Sequence, residues 1–452
     1  MRMIPQLLWI ALAGGLLATG CRGVPTAGEQ EARQDLAMVA GKYQSGASLH
    51  PTNQPVLPVL TAGGSMSNFL AYALLNSPSV AAAYQDWAAA VERITVARSR
   101  PDPKLTFSAH IQNDLTSLMP GLMQDLPGPG KLKSAAGVAT AESRAQYFAF
   151  ETAVLQAAFE FKRAYFNLYF LEERLRINRR TLTLLTDLEA SARAQNEVGQ
   201  ASLQDVYRAQ IDREQLRTEI ANLEDSRGML LAGYKAALGL TCGQADPPLP
   251  APFAETPLDL TGDELLKVAL ANNPRLQEAS AEVTLAEASM AQARKSRVPD
   301  FSAGLQAEVY EPPFYWPQAG MTLPLWRDKL AAELAAAQAG KRAAAARLTA
   351  EQIGLAVDVA ARTYDYREST RNLALLEEQL IPKAQKSLAL ARAGYLSGRV
   401  DFSNLRDAER TWLNLQLTEI QERARREITL AELSLVIAGR PPAGAPVLAA
   451  RH

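Results

Sequence analysis

A chain of 452 residues has room for two or three ordinary domains, and a formal charge of −1 gives no electrostatic reason to expect nucleic acid as a partner. Apolar residues make up 48% of it, much of that alanine, whereas aromatics supply only 7%, a balance that favours slender, closely packed helices over a bulky core. Two cysteines, Cys21 and Cys242, exclude a disulfide-rich scaffold.

The N-terminus, MRMIPQLLWIALAGGLLATG, places one arginine before an apolar run that is too short for a membrane span and ends in small residues. Residues 1–20 read as a signal peptide. The ending LATGC resembles the lipobox of bacterial lipoproteins, in which the cysteine becomes the lipidated N-terminus. A covalent lipid on Cys21 is therefore expected, leaving Cys242 without an intrachain partner. By the same resemblance, Arg22 carries no inner-membrane retention signal, which favours the outer membrane. Residues 21–65 lack periodicity and read as an extended tail. No later stretch is apolar enough for a transmembrane helix, so any crossing must use strands.

From residue 66 the chain is written twice. ALLNSPSV at 73–80 matches ALANNPRL at 269–276, and ITVARSRPDP at 94–103 matches MAQARKSRVP at 290–299. DLPGPGKL at 125–132 answers TLPLWRDKL at 322–330, and NEVGQASLQDVYRAQ at 196–210 answers YLSGRVDFSNLRDAER at 395–410. Matches in one order at nearly constant offset predict two repeats, 66–240 and 262–439. A proline-rich connector at 241–261 joins them, and a tail follows at 440–452.

Each repeat follows one plan. A helix of about 30 residues (67–98; 263–296) ends at a proline cluster, and two short extended segments follow. A very long helix runs over 131–195 or 329–393, with Pro382 as its one evident interruption. Some 65 residues at 1.5 Å rise span about 100 Å, a length sustained by lateral packing. Leu216, Ile220, Leu223, Leu230 and Tyr234 keep a coiled-coil spacing, as do Leu413, Leu417, Ile420 and Ala424. The breaks at Gly199 and Gly398 thus read as hairpin tips, where glycine ends one helix and Ser202 or Asp401 caps the next.

Residues 105–112 alternate apolar Leu105, Phe107, Ala109 and Ile111 with polar Thr106, Ser108, His110 and Gln112. Residues 301–309 repeat the pattern, with Ser302, Gln306 and Glu308 on the polar side. Strands are predicted over 104–113, 117–126, 300–310 and 318–326. Their length suits tilted membrane strands, and Tyr310, Phe314, Tyr315 and Trp316 at one end with Trp326 near the other suit interfacial girdles. Four strands leave two unpaired edges, which lipid does not tolerate, so closure must come from other copies of the chain. Two copies would give a nearly filled eight-stranded barrel; three would give twelve strands and an open lumen.

Here the pattern resembles the TolC-like outer-membrane efflux family, on the strength of the duplication, the strand hairpins after ARSRPDP and ARKSRVP, and the YxxGxxxFxxLxxAE pattern at 395–409. The resemblance implies a mainly α protein with a small membrane β part. It also implies a homotrimer whose twelve strands form one barrel above a helical periplasmic tunnel, anchored in outer-membrane lipid. An inner-membrane pump and a periplasmic adaptor protein would dock near the tunnel tip. It implies adaptor contacts at Val198, Gly199, Leu203, Leu396, Gly398 and Phe402, and a periplasmic gate at Asp401, Asn404 and Asp407. Asn404 stands where some relatives carry an acid. Arg399, Arg406 or Arg410 is expected to pair with these carboxylates. The lumen would be lined by Thr106, Ser108, His110, Gln112, Ser302, Gln306 and Glu308. LPGPGKL resembles a segment of relatives that serve heavy-metal pumps, so export leans to heavy metals or drugs.

Catalysis is not expected. GPGK at 128–131 lacks the first glycine and the hydroxyl residue of a P-loop, and no zinc-protease, nucleophile-elbow or C-x-x-C motif occurs. With only His50, His110 and His452, no clustered metal site is legible, and no cofactor is expected. Met119 and Met123 read as apolar hairpin residues before soft-metal ligands. The rival readings are a periplasmic adaptor, which would carry one hairpin among many strands, and a structural coiled-coil lipoprotein, which would need no amphipathic strands.

Overall fold

The computed structural model describes residues 24–43, 57–112, 114–241, 243–250, 258, 260–308 and 314–437. Cys21, Cys242, Tyr310, the signal segment and the tail 440–452 lie outside them. The chain divides into two units, one of Met1–Val39, Trp87–Ala145 and Ala281–Ala344, the other of Ala40–Asp86, Gln146–Ser280 and Ala345–His452. Among the described residues no helix is long and apolar enough to cross a membrane.

The first unit holds a four-stranded antiparallel sheet in the order β1 (Lys104–Gln112), β2 (Asp114–Leu126), β3 (Asp300–Glu308), β4 (Phe314–Thr322). Cross-strand partners share a face, so the registers Thr106↔Gly121↔Gln306↔Trp316 and Leu105↔Leu122↔Leu305↔Pro317 trace its two sides. The apolar side is the open one: Leu105, Phe107 and Leu305 are 66%, 65% and 51% exposed. On the other side Gln306 is 6% exposed. Its amide donates to the Ser108 hydroxyl and the Met119 carbonyl, and its oxygen accepts from Gln318 at 2.5 Å. A soluble sheet would be built the other way round.

Two strand limits differ from the pattern-based ones. β2 begins at Asp114 rather than 117, because a register shift beside His110/Ile111 lets the short hairpin pair further. β4 covers Phe314–Thr322, not 318–326; Pro324 has no N–H for a ladder, and Leu323–Trp326 lead instead into the next helix. Pro317 sits within β4, which is an edge strand where its missing donor costs little.

Part of the tail predicted to be extended forms helix α1 (Ala27–Tyr43). Its Glu29 is buried against Arg98 and accepts from the Thr95 hydroxyl at 2.7 Å, while Arg33 grips Glu92 with two 2.8 Å bonds. Burial raises the Glu29 carboxyl, but bonds from Arg98, Thr95 and Arg33 outweigh it and hold the group at about 2. These charges are scattered over 70 residues of sequence, which is why periodicity alone misses the helix.

The helix of about 30 residues expected in each half is two helices: α2 (Met66–Asn76) with α3 (Pro78–Arg98), and α6 (Gly262–Asn272) with α7 (Pro274–Lys295). Pro78 and Pro274 force the preceding Ser77 and Asn273 out of helical geometry, to ψ 119 and 121. At each break an asparagine side chain binds the end of a returning helix: Asn76 to the Leu238 carbonyl at 2.9 Å, Asn273 to the Val436 carbonyl at 2.8 Å.

Helix α4 (Lys131–Glu197), whose residues from Gln146 onward belong to the second unit, turns into α5 (Leu203–Ala237). Leu216, Ile220 and Tyr234 of the predicted seam are buried, with Leu223 and Leu230 packed beside them. In the second half α8 (Arg327–Leu375) and α9 (Ile381–Leu396) are joined by a π-helical turn, Leu376–Leu380, before α10 (Phe402–Val436). From the matching lysine (Lys131, Lys329) to the matching glycine (Gly199, Gly398), the second half is one residue longer. A π turn takes up one extra residue without disturbing the helix faces on either side. It also falls just before Pro382, which has no N–H to give.

Candidate functional site

Both helical hairpins turn by the same backbone device. Gly199 and Gly398 take φ values of 73 and 71, and a side chain at either would meet nothing within 4 Å. The left-handed backbone, not crowding, selects glycine there. The amides of Gln200 and Arg399 close back onto the carbonyls of Gln195 and Gly394, each at 2.8 Å. Crowding selects Gly394 instead, since a Cβ there would lie 2.4 Å from the Val400 methyl.

The capping expectation holds for Ser202, which forms a reciprocal capping box with Asp205. It fails for Asp401: the residue has N-cap backbone geometry, but its side chain makes no capping bond. Among the described residues the Asp401 carboxylate has no ion pair at the tip.

Of the predicted contact residues, Val198, Leu203 and Leu396 are exposed around the two turns, and Tyr207 and Ile211 extend the Leu203 stripe at helical spacing. Phe402 differs: it is 3% exposed, its ring meeting that of Tyr395 edge-on at 5.7 Å in a cluster with Leu405, Val206 and Ala209. It fastens the second turn to the first hairpin and has no surface left for a partner.

The arginine expectation is corrected too. Arg406 pairs not with Asp401 or Asp407 but with Asp212 on α5, through Nη2 to Oδ1 at 2.9 Å and a second bond from Nε. This bidentate bridge ties the two hairpins together. Among the described residues Arg399 and Arg410 make no ion pair. Below the bridge, Glu189 is buried and accepts from Gln210 at 3.1 Å and from Arg213, joining α4 to α5.

Glu409 lies near that bridge. Burial pushes its carboxyl up to about 7, with Arg392 opposing and Asp212 adding to the rise; its Oε2 is buried with no hydrogen-bond partner among the described residues. Folded protein therefore keeps this proton to higher pH than unfolded chain, and stability falls as pH rises from about 4.5 to about 7. Glu409→Gln should remove roughly 3 kcal/mol of that fall. Thermal unfolding at pH 4, 6 and 8 should show the variant matching wild type at pH 4 and surpassing it at pH 8; a gap that does not change with pH would contradict this.

The sheet residues fall as their alternation predicts: Thr106, Ser108, Ser302, Gln306 and Glu308 share the polar side. His110 and Gln112 lie on β1, with side chains outside the described set. The predicted aromatic girdle splits, because the pleat puts Tyr315 on the apolar side but Phe314 and Trp316, opposite Glu308 and Gln306, on the polar side. No group of three or more metal-binding side chains occurs among the described residues. Sequence reasoning missed Asp212, Glu189 and Glu409. They lie on polar flanks of long helices, where nothing in the local pattern sets one carboxylate apart from another.

The family profile described as outer membrane efflux protein matches residues 70–240 and 265–439. Among solved structures the chain is similar to a membrane protein from Pseudomonas aeruginosa, at 20% identity and TM-score 0.76 over 88% of this chain and 99% of that one. It is similar to the outer membrane protein VceC from Vibrio cholerae, at 17% identity and TM-score 0.70 over 83% and 96%. The open-state MtrE outer membrane channel from Neisseria gonorrhoeae gives 18% identity and TM-score 0.72 over 88% and 95%. At these identities the likeness is one of fold. Comparison with curated proteins returns no sequence match.

Proposed function

The chain belongs to the outer membrane efflux protein family, and from that premise we propose that it is the outer-membrane channel of a tripartite efflux system. Three copies, each contributing β1–β4, close a twelve-stranded barrel in the outer membrane. The duplicated helical hairpins continue it as a periplasmic tunnel, and a lipid on Cys21 anchors each copy. The observation that carries this reading is the sheet itself, with its apolar side exposed, its polar side sheltering Gln306, and, among the described residues, no partner strand beyond β1 or β4. In water that arrangement leaves leucine and phenylalanine unsatisfied; in lipid the open side is solvated and only the edges need partners.

Such a channel performs no chemistry. Solute moves through a wet lumen, and a pump in the inner membrane, joined through a periplasmic adaptor, supplies the energy. The exposed Val198, Leu203 and Leu396 at the tips suit an adaptor's apolar contacts. Asp401, Asn404 and Asp407 would line the periplasmic mouth, which the Arg406–Asp212 bridge holds together. Heavy-metal ions or drugs are the favoured cargo, on the LPGPGKL segment. Recording the purified full chain in planar bilayers tests the proposal: discrete, stable conductance steps are expected, and intact insertion without conductance would overturn it.

A further inference from the structure

We infer that Glu308, Phe314 and Trp316 form a collar that binds organic cations on the polar side of the sheet. The inference rests on the proposed reading that this side faces a channel lumen. The register sets Phe314 directly opposite Glu308 and Trp316 opposite Gln306, so both rings stand among polar residues and away from Tyr315 and Met321. Their centroids are 4.8 Å apart with the planes at 64°, an edge-to-face pair.

Neither ring is core. Phe314 is 56% and Trp316 49% exposed, on a side that carries serine, threonine, glutamine, glycine and charged residues together with Met119 and Met123 of β2. The girdle function would place them with Tyr315 on the apolar side, and the pleat does not. Gln306 cannot serve as a ligand group, because its amide is committed to Ser108, Met119 and Gln318. It instead stiffens the floor on which Trp316 stands. What remains open to a solute is two ring surfaces and a carboxylate on neighbouring positions.

That combination selects one ligand chemistry. The negative face of an aromatic ring attracts a cation with little hydration, and a tryptophan face does so best. A carboxylate adds charge without demanding a particular geometry. Hydrated metal ions keep their water and gain little from the rings, whereas quaternary ammonium and other amphipathic cations present charge and apolar surface together. In a trimer the collar would be repeated three times around one ring of the barrel.

The test is block of single-channel current by tetrabutylammonium added from the side of the β3–β4 turn. Wild-type channels should be blocked in a concentration-dependent way. Trp316→Leu, which keeps apolar bulk but removes the ring, should weaken block roughly ten-fold, as should Glu308→Gln. Tyr315→Ala, one residue away on the other side, should leave block unchanged. Wild-type channels that conduct but are not blocked, or variants blocked as strongly as wild type, would overturn the collar and leave the channel reading standing. Absence of any channel from wild type would overturn the reading and the collar with it.

Discussion

Leu305→Arg should abolish membrane assembly. Leu305 lies on the apolar side of β3, half exposed, with Leu122 across the strand pair. On a soluble protein an arginine at such a site changes stability by about 0.5 kcal/mol or less. On the lipid side of a barrel it costs roughly 2–4 kcal/mol near the midplane, and a three-fold assembly incurs that three times. Arginine in place of Ser302, on the opposite side, should leave assembly intact and change ion preference instead. Outer-membrane fractionation and heat-stable oligomer bands on gels would read both. Normal assembly of the Leu305 variant would mean that the apolar side meets water or protein rather than lipid.

The second large effect is expected at the mouth. Arg406→Ala removes both bonds to Asp212 and leaves that carboxylate facing the buried Glu409 without a counter-ion. One part-buried bridge of this kind is worth about 1 kcal/mol. If three act together, their loss shifts the balance between shut and open mouths by about 3 kcal/mol, roughly 100-fold. Resting conductance should therefore rise sharply, and charge reversal of both residues, Arg406→Asp with Asp212→Arg, should lower it again. Conductance unmoved by Arg406→Ala would make the bridge a fold contact only. Asp401 and Asp407, the carboxylates expected from the sequence to pair with an arginine here, should matter less.

What the sequence revealed depended on whether a signal was periodic or spatial. The alternation of Leu105 to Gln112 and of Phe301 to Glu308 was legible because a strand with unlike sides must repeat every second residue. The hairpin tips were legible because a left-handed turn demands glycine. Even so, the pattern around Trp316 misled: the aromatic residues from Tyr310 to Trp316 looked like one girdle, and only the register separates Tyr315 from its neighbours. The Pro78 and Pro274 breaks could have been read, since proline excludes helical geometry from the residue before it. Contacts such as Arg406 with Asp212, or Glu29 with Arg98, join charges far apart in the chain, and no local rule chooses among dozens of similar side chains. Phe402 shows the converse error: a large apolar residue beside a tip was expected to wait for a partner, yet it is consumed by Tyr395 and Leu405.

The mass of the mature full-length chain, extracted from outer membranes in detergent, puts the account at most direct risk. A sheet with free edges at β1 and β4 should be found only in particles of three chains, each open edge closed by a sister copy. A monodisperse single chain that stays in solution without detergent would show that the sheet completes itself in some other way, and that the protein is no pipe.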